Sequence, residues 1–129
     1  VTHAFSDRRS MENELYKAIL LDGIGINEGM LMENVVAQTL VSIGDRLFFY
    51  SRGREDPDGQ MEIDFLIRRN GRICPIEVKS SKRSRDHKSL DRFRERFGKR
   101  LGQSYVIHSK DLSVEDGIIY LPVYMTMFL

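Results

Sequence analysis

Two strand-like runs, residues 60–69 and 72–81, meet at Asn70-Gly71. Asn-Gly between such runs is the strongest short hairpin signal, because a type I′ turn needs positive φ at both central residues. A two-residue turn also fixes the register, with Arg69 facing Arg72. Ile63 then faces Val78, Phe65 faces Ile76 and Ile67 faces Cys74. This all-apolar face is expected in the core, and Cys74 is read there as a small buried hydrophobe rather than a nucleophile. The other face sets Asp64 against Glu77 and Glu62 against Lys79. Directly opposed carboxylates, their Cβ atoms roughly 4.5–5.5 Å apart, destabilise a sheet. The cost falls if one is protonated or a cation sits between them. Two carboxylates and waters suit Mg²⁺ or Mn²⁺, and Lys79 shares the face of Glu77. The plain alternative is a solvated charged face on which Glu62 and Lys79 form an ordinary cross-strand pair.

The remaining elements are read around this hairpin. Residues 1–8 are polar and aperiodic, an arm or linker stub. Met11, Leu15, Ala18 and Ile19 fall at helical spacing over 9–21, with Ser10 as N-cap. A helix over about 27–43 opens at Asn27 and stops at Gly44. Its apolar residues cover most of its circumference, which predicts a largely buried helix. Glu33 lies on its stripe with Met30, Val36 and Leu40. A carboxylate there costs several kcal/mol unless it is paired or bound, or else reaches the helix edge. Residues 47–50 read as a strand, 88–97 as a charged amphipathic helix, and 104–108 and 118–125 as further strands. The order α, α, β, β, β, α, β, β predicts an α/β fold, bordering on α+β: one domain over 1–129 with a small mixed sheet flanked by helices.

Charge is uneven. The chain carries 20 Lys and Arg against 19 Asp and Glu. Residues 79–100 hold ten basic residues and three acids, Asp86, Asp91 and Glu95. The segment therefore has a local excess of seven positive charges, and the rest an excess of six acids. Near-neutrality overall does not exclude a nucleic-acid partner. Lys82, Arg83, Arg85, Lys88 and Arg92 follow Lys79 and are the candidate phosphate-backbone contacts. A solvated helix face, with Arg92/Arg96 and Glu95/Lys99 at helical spacing, is the competing account. No base-reading motif accompanies the run. No apolar run reaches membrane-spanning length. The single cysteine cannot form an internal disulfide, which points to the cytoplasm. His3, His87 and His108 have no metal-ligand spacing and are assigned to packing or surface.

The combination of Glu33, then Glu62-Ile-Asp64, then Ile76-Glu77-Val-Lys79 resembles the PD-(D/E)XK nuclease superfamily. A broader match, GMLMENVVAQTL (29–40), EIDFLIRRNGRICPIEVKSSK (62–82), KSL (88–90) and YLPVYM (120–125), resembles the uncharacterised C-terminal domain of prokaryotic AAA-type ATPases. The resemblance implies a restriction-endonuclease-like αβββαβ core. It implies that Asp64, Glu77 and the Val78 backbone carbonyl hold a divalent metal. Glu33 would touch it directly or through water, and Lys79 would orient the attacking water and stabilise charge at the phosphate. It also implies an N-terminal ATPase module in a longer parent chain, of which this would be the C-terminal part; the chain opens on Val and contains no G-x-x-x-x-G-K-[ST] loop. Asp64 follows Ile63 rather than the proline of the superfamily's name.

Two readings of function follow. One is a Mg²⁺- or Mn²⁺-dependent nuclease acting on DNA. The other is a catalytically inactive module that binds nucleic acid or protein and regulates the ATPase, since a fold does not establish an activity. A third feature, the apolar end YLPVYMTMFL, is expected to be a final core strand, or else a homo-oligomer contact.

Overall fold

The computed structural model describes residues 28–57, 59–80 and 87–129. The helix expected over 9–21, the arm at 1–8, and Lys82, Arg83 and Arg85 lie outside the described residues. Two α-helices and six strands follow in order: α1 (Glu28–Ser42), β1 (Phe48–Arg52), β2 (Met61–Arg69), β3 (Arg72–Val78), α2 (Lys88–Phe97), β4 (Ser104–His108), β5 (Ser113–Glu115) and β6 (Ile118–Pro122). Short 3₁₀ turns occupy Gly98–Arg100 and Val123–Phe128.

The strands form one mixed sheet in the order β1-β2-β3-β4-β6-β5. Antiparallel pairs join β1 to β2, β2 to β3 and β5 to β6, while β3–β4 and β4–β6 are parallel. Helix α1 covers one face. Its buried Val36 and Leu40 pack with Ile67, Cys74, Ile76, Val78, Ile107 and Leu121. Helix α2 covers the other, where Leu90 and Phe93 pack with Met61, Ile63, Val106 and Ile118. Tyr50, Phe93 and Phe97 form an aromatic knot there, with ring centroids 4.9–5.8 Å apart. The chain is thus a mixed α/β protein with a six-stranded sheet flanked by helices.

The hairpin has the register its turn dictates, from Arg69↔Arg72 to Phe65↔Ile76. Asn70 and Gly71 take φ of 54° and 75°, as type I′ requires. Past Phe65 the expectation fails. The β1–β2 register slips between Phe48 and Tyr50: Phe48 faces Leu66, yet Tyr50 faces Ile63. Two steps along β1 span three along β2, so β2 carries an extra residue at Asp64–Phe65, a β-bulge. The bulge resets the alternation. Phe65 and Ile67 belong to the α1 side, but Ile63 packs on the α2 side, away from Val78. The expected Ile63–Val78 core pair is therefore corrected, and the Asp64–Glu77 and Glu62–Lys79 positions lie beyond the paired stretch of β2 and β3.

Three other expectations change. Helix α1 is not largely buried: only Val36 and Leu40 are, while Met30, Val35 and Val41 are exposed. One stripe meets the sheet, and the surplus apolar residues face outward. The last strand ends at Pro122 rather than 125, because the chain turns into a 3₁₀ segment whose Tyr124, Met127 and Phe128 are exposed. Strand β5 was not expected. It is three exposed residues joined to β6 through Asp116-Gly117, a second positive-φ pair. Away from the site, Asp45 and Arg69 close a bidentate ion pair at 2.6 and 2.8 Å, and Arg69 Nε donates to the Leu129 carbonyl at 2.9 Å. This ties the end of α1 to the hairpin and the C-terminus.

Candidate active site

Strand β3 lies between β2 and β4, and beyond Ile76 only its β4 edge stays paired. The antiparallel ladder with β2 ends there, while the parallel ladder with β4 runs on from Ile76↔Tyr105 through Glu77↔Val106 and Val78↔Ile107. The Lys79 N–H extends that ladder by donating to the Ile107 carbonyl at 2.8 Å. The edge of β3 that faces β2 is thereby released at Val78, and the bulge delivers a side chain into the gap. The Val78 N–H donates to Asp64 Oδ2 at 2.8 Å. A strand residue's N–H and C=O point toward the same neighbour, so the Val78 carbonyl is directed to the same gap. Asp64, Glu77, Val78 and Lys79 thus gather at the C-terminal end of β3. In open α/β sheets the carboxyl ends of the strands are where ligands bind.

Glu77 has the most perturbed environment. It is 6% exposed, and its Oε2 has no hydrogen-bond partner among the described residues. Burial, with a contribution from the Asp64 charge, raises its pKa to about 7, against the opposing pull of Lys79 and His87. Asp64 is raised as well, by burial first, while the Val78 N–H and Lys79 hold it down. Glu33 is exposed rather than buried on the stripe expected of it. Partial desolvation and then the Asp64 charge push its pKa upward. Asp64 therefore acts electrostatically on both other acids, and Lys79 offsets the charge of Asp64 and Glu77. Among the described residues, no group of three or more His, Cys, Asp or Glu side chains converges closely enough to hold a metal ion.

Three arginines in the described part of the basic run contact the protein itself. Arg92 Nη1 donates to the Gln60 carbonyl at 2.8 Å, Arg94 to the Asp116 carbonyl at 2.9 Å, and Arg96 meets Asp56 at 3.4 Å. Lys88 is exposed at the start of α2.

One constellation was missed by sequence reasoning. His87, dismissed for lack of ligand spacing, contacts Asp91 Oδ1 through Nδ1 at 2.9 Å and the Tyr120 hydroxyl through Nε2 at 2.8 Å. The rings of His108 and Tyr120 lie 5.6 Å apart. His87, His108, Tyr120 and Lys79 line a pocket of about 280 Å³. The His87/Asp91 spacing of four was legible on the helix, but nothing local announced Tyr120, which lies 33 residues away.

No helix among the described residues is long and apolar enough to cross a membrane. No curated protein matches the chain in sequence. A family model does match, over residues 28–126, and its description is a domain of unknown function, DUF4143. That span takes in every described helix and strand and all the candidate site residues, and the protein accordingly belongs to the DUF4143 family.

Proposed function

We propose that this domain is a divalent-metal-dependent phosphodiesterase centre acting on DNA, built on a restriction-endonuclease-like core. The observation that carries the reading is Glu77: a buried carboxylate with an oxygen unpartnered among the described residues, beside a second carboxylate and a lysine. A buried polar atom left unpaired costs free energy, and a hard cation is one partner that would remove the cost. Asp64, Glu77 and the Val78 carbonyl are the oxygen donors that would hold it, with Glu33 reaching it directly or through water. When bound, Mg²⁺ or Mn²⁺ would lower the pKa of a water and neutralise charge at the phosphate. The Val78 N–H orients Asp64, leaving the other oxygen of that carboxylate available. Lys79 holds an ammonium beside both acids, where it would orient the water and stabilise the developing phosphate charge. Lys82, Arg83, Arg85, Lys88 and Arg92 would add phosphate-backbone contacts of salt-sensitive strength; Arg92 would have to share its guanidinium with Gln60. The domain is further read as one part of a longer protein whose ATPase module it accompanies.

The test is Mg²⁺- or Mn²⁺-dependent cleavage of plasmid and single-stranded DNA. Asp64→Ala and Lys79→Ala are expected to abolish it. Absent cleavage, or cleavage that survives both changes, refutes the reading.

A second reading, a catalytically inactive module that binds nucleic acid or protein and regulates the ATPase, is favoured by two observations. Glu33 stands exposed on α1, and no three acids converge among the described residues. Calorimetry separates the two. Metal binding that depends on Asp64 and Glu77 supports the enzyme, and none supports the module.

A further inference from the structure

We infer that the pocket between Lys79, Lys110, His87 and Tyr120 is a subsite for one unpaired nucleotide, adjoining the proposed phosphodiesterase centre and resting on that reading for its role. Lys79 belongs to both: it stands two residues past Glu77 and forms one wall of the pocket. At about 280 Å³ the space lies just below the range usual for drug-sized ligands, about 300–1,000 Å³. It admits a single nucleotide unit, not a duplex.

The walls have matching chemistry. Lys79 and Lys110 supply cations for a phosphate. Tyr120 and His108, their rings 5.6 Å apart, supply aromatic surface on which a base can stack. The Tyr120 ring is held in place by His87. An ionised carboxylate only accepts hydrogen bonds, so the His87 Nδ1–H points to Asp91, and Nε2 is left to engage the Tyr120 hydroxyl. His87 and Asp91 are therefore positioning residues for the Tyr120 wall. Glu115 and Asp116 also reach the pocket. Two carboxylates against two lysines leave little net attraction for a bare phosphate. A nucleotide whose base carries an exocyclic amino group meets both signs, its phosphate on the lysines and its amino group on the acids. A nucleotide must leave its stack to enter such a space, so the substrate class is single-stranded or frayed DNA.

The test is calorimetric titration of the 129-residue chain with dAMP in EDTA, alongside amide chemical-shift mapping. The expected result is saturable binding that perturbs the amides of Lys79, His108 and Tyr120. It should weaken about tenfold in Lys110→Ala, the scale of one charge-assisted hydrogen bond. It should also weaken in Tyr120→Leu, and inorganic phosphate at equal concentration should not compete. Lys110 is exposed, so its truncation does not endanger the fold. No saturable binding, equal competition by inorganic phosphate, or affinity unchanged in Lys110→Ala would each overturn the inference. Asp64→Asn is expected to retain dAMP binding. An inactive chain that binds dAMP thus sinks the phosphodiesterase reading alone, whereas an active chain that does not bind it sinks the subsite alone.

Discussion

Glu77→Gln isolates the energetic consequence of burying a carboxylate at the end of β3. The carboxyl ordinarily titrates near 4.5, and its surroundings raise this to about 7. At 1.36 kcal/mol per unit, the difference amounts to about 3 kcal/mol. Below about pH 4.5 the group is neutral in both folded and unfolded chains, and the fold carries no penalty from it. As pH rises toward and through 7, the folded state must give up its proton in a desolvated site, so stability falls with pH over that window. Glutamine has nearly the same shape and no proton to lose. The unfolding free energy of Glu77→Gln minus that of the wild type should therefore increase by about 3 kcal/mol between pH 4.5 and pH 8.5. Any constant offset from altered hydrogen bonding drops out of that change, as do groups that titrate alike in both proteins. Urea unfolding followed by circular dichroism, in EDTA, gives the difference curve. A flat curve would show that the carboxylate is effectively solvated, and the argument from burial would fail with it.

Three further outcomes are expected in the same assay. Asp64→Ala should cost about 1–3 kcal/mol by leaving the Val78 N–H without its acceptor, and Asp64→Asn, which keeps a carbonyl oxygen, should cost less; equal losses would argue against the hydrogen bond. Arg69→Lys should cost about 1–3 kcal/mol, because an ammonium cannot reproduce the bidentate contact with Asp45 while also reaching the Leu129 carbonyl; an unchanged midpoint would refute this. Leu40→Ala, fully buried between α1 and the sheet, should cost about 2–5 kcal/mol, whereas Val41→Ala on the exposed side should cost far less.

What the sequence disclosed depended on how local the signal was. Asn70-Gly71 specified its turn and the first five pairs of the hairpin without outside help. Strand β4 and helix α2 fall on the boundaries their patterns predicted. The bulge at Asp64–Phe65 had no such signature. Alternation through Glu62-Ile63-Asp64-Phe65 reads as unbroken, and the extra residue shows only against the pairing of β1. That single slip moved Ile63 to the other face and turned an expected confrontation of Asp64 with Glu77 into a hydrogen bond from Val78 to Asp64. Strand β5 carried a turn signal as good as the first, Asp116-Gly117, but its exposed residues show no burial alternation. The end of the chain misled for the opposite reason. Its apolar content suggested one long strand, and the outward-facing Tyr124, Met127 and Phe128 show that apolarity alone does not require pleating. The four side-chain positions singled out at the site were legible as residue types, but not the exposure of Glu33 or the distant Tyr120 behind His87.

The two edges of β3 also order the assembly of the domain in time. The edge facing β2 closes across a two-residue turn, an event on the order of microseconds. The edge facing β4 waits for a crossover of more than twenty residues that includes α2, a slower closure because chain entropy opposes bringing distant segments together. Glu77 is paired on the late edge alone. Until β4 docks it is an ordinary hydrated carboxylate, and its desolvation arrives only with the parallel pairing. The least comfortable charge in the domain is thus introduced after the hairpin has already fixed the chain beneath it.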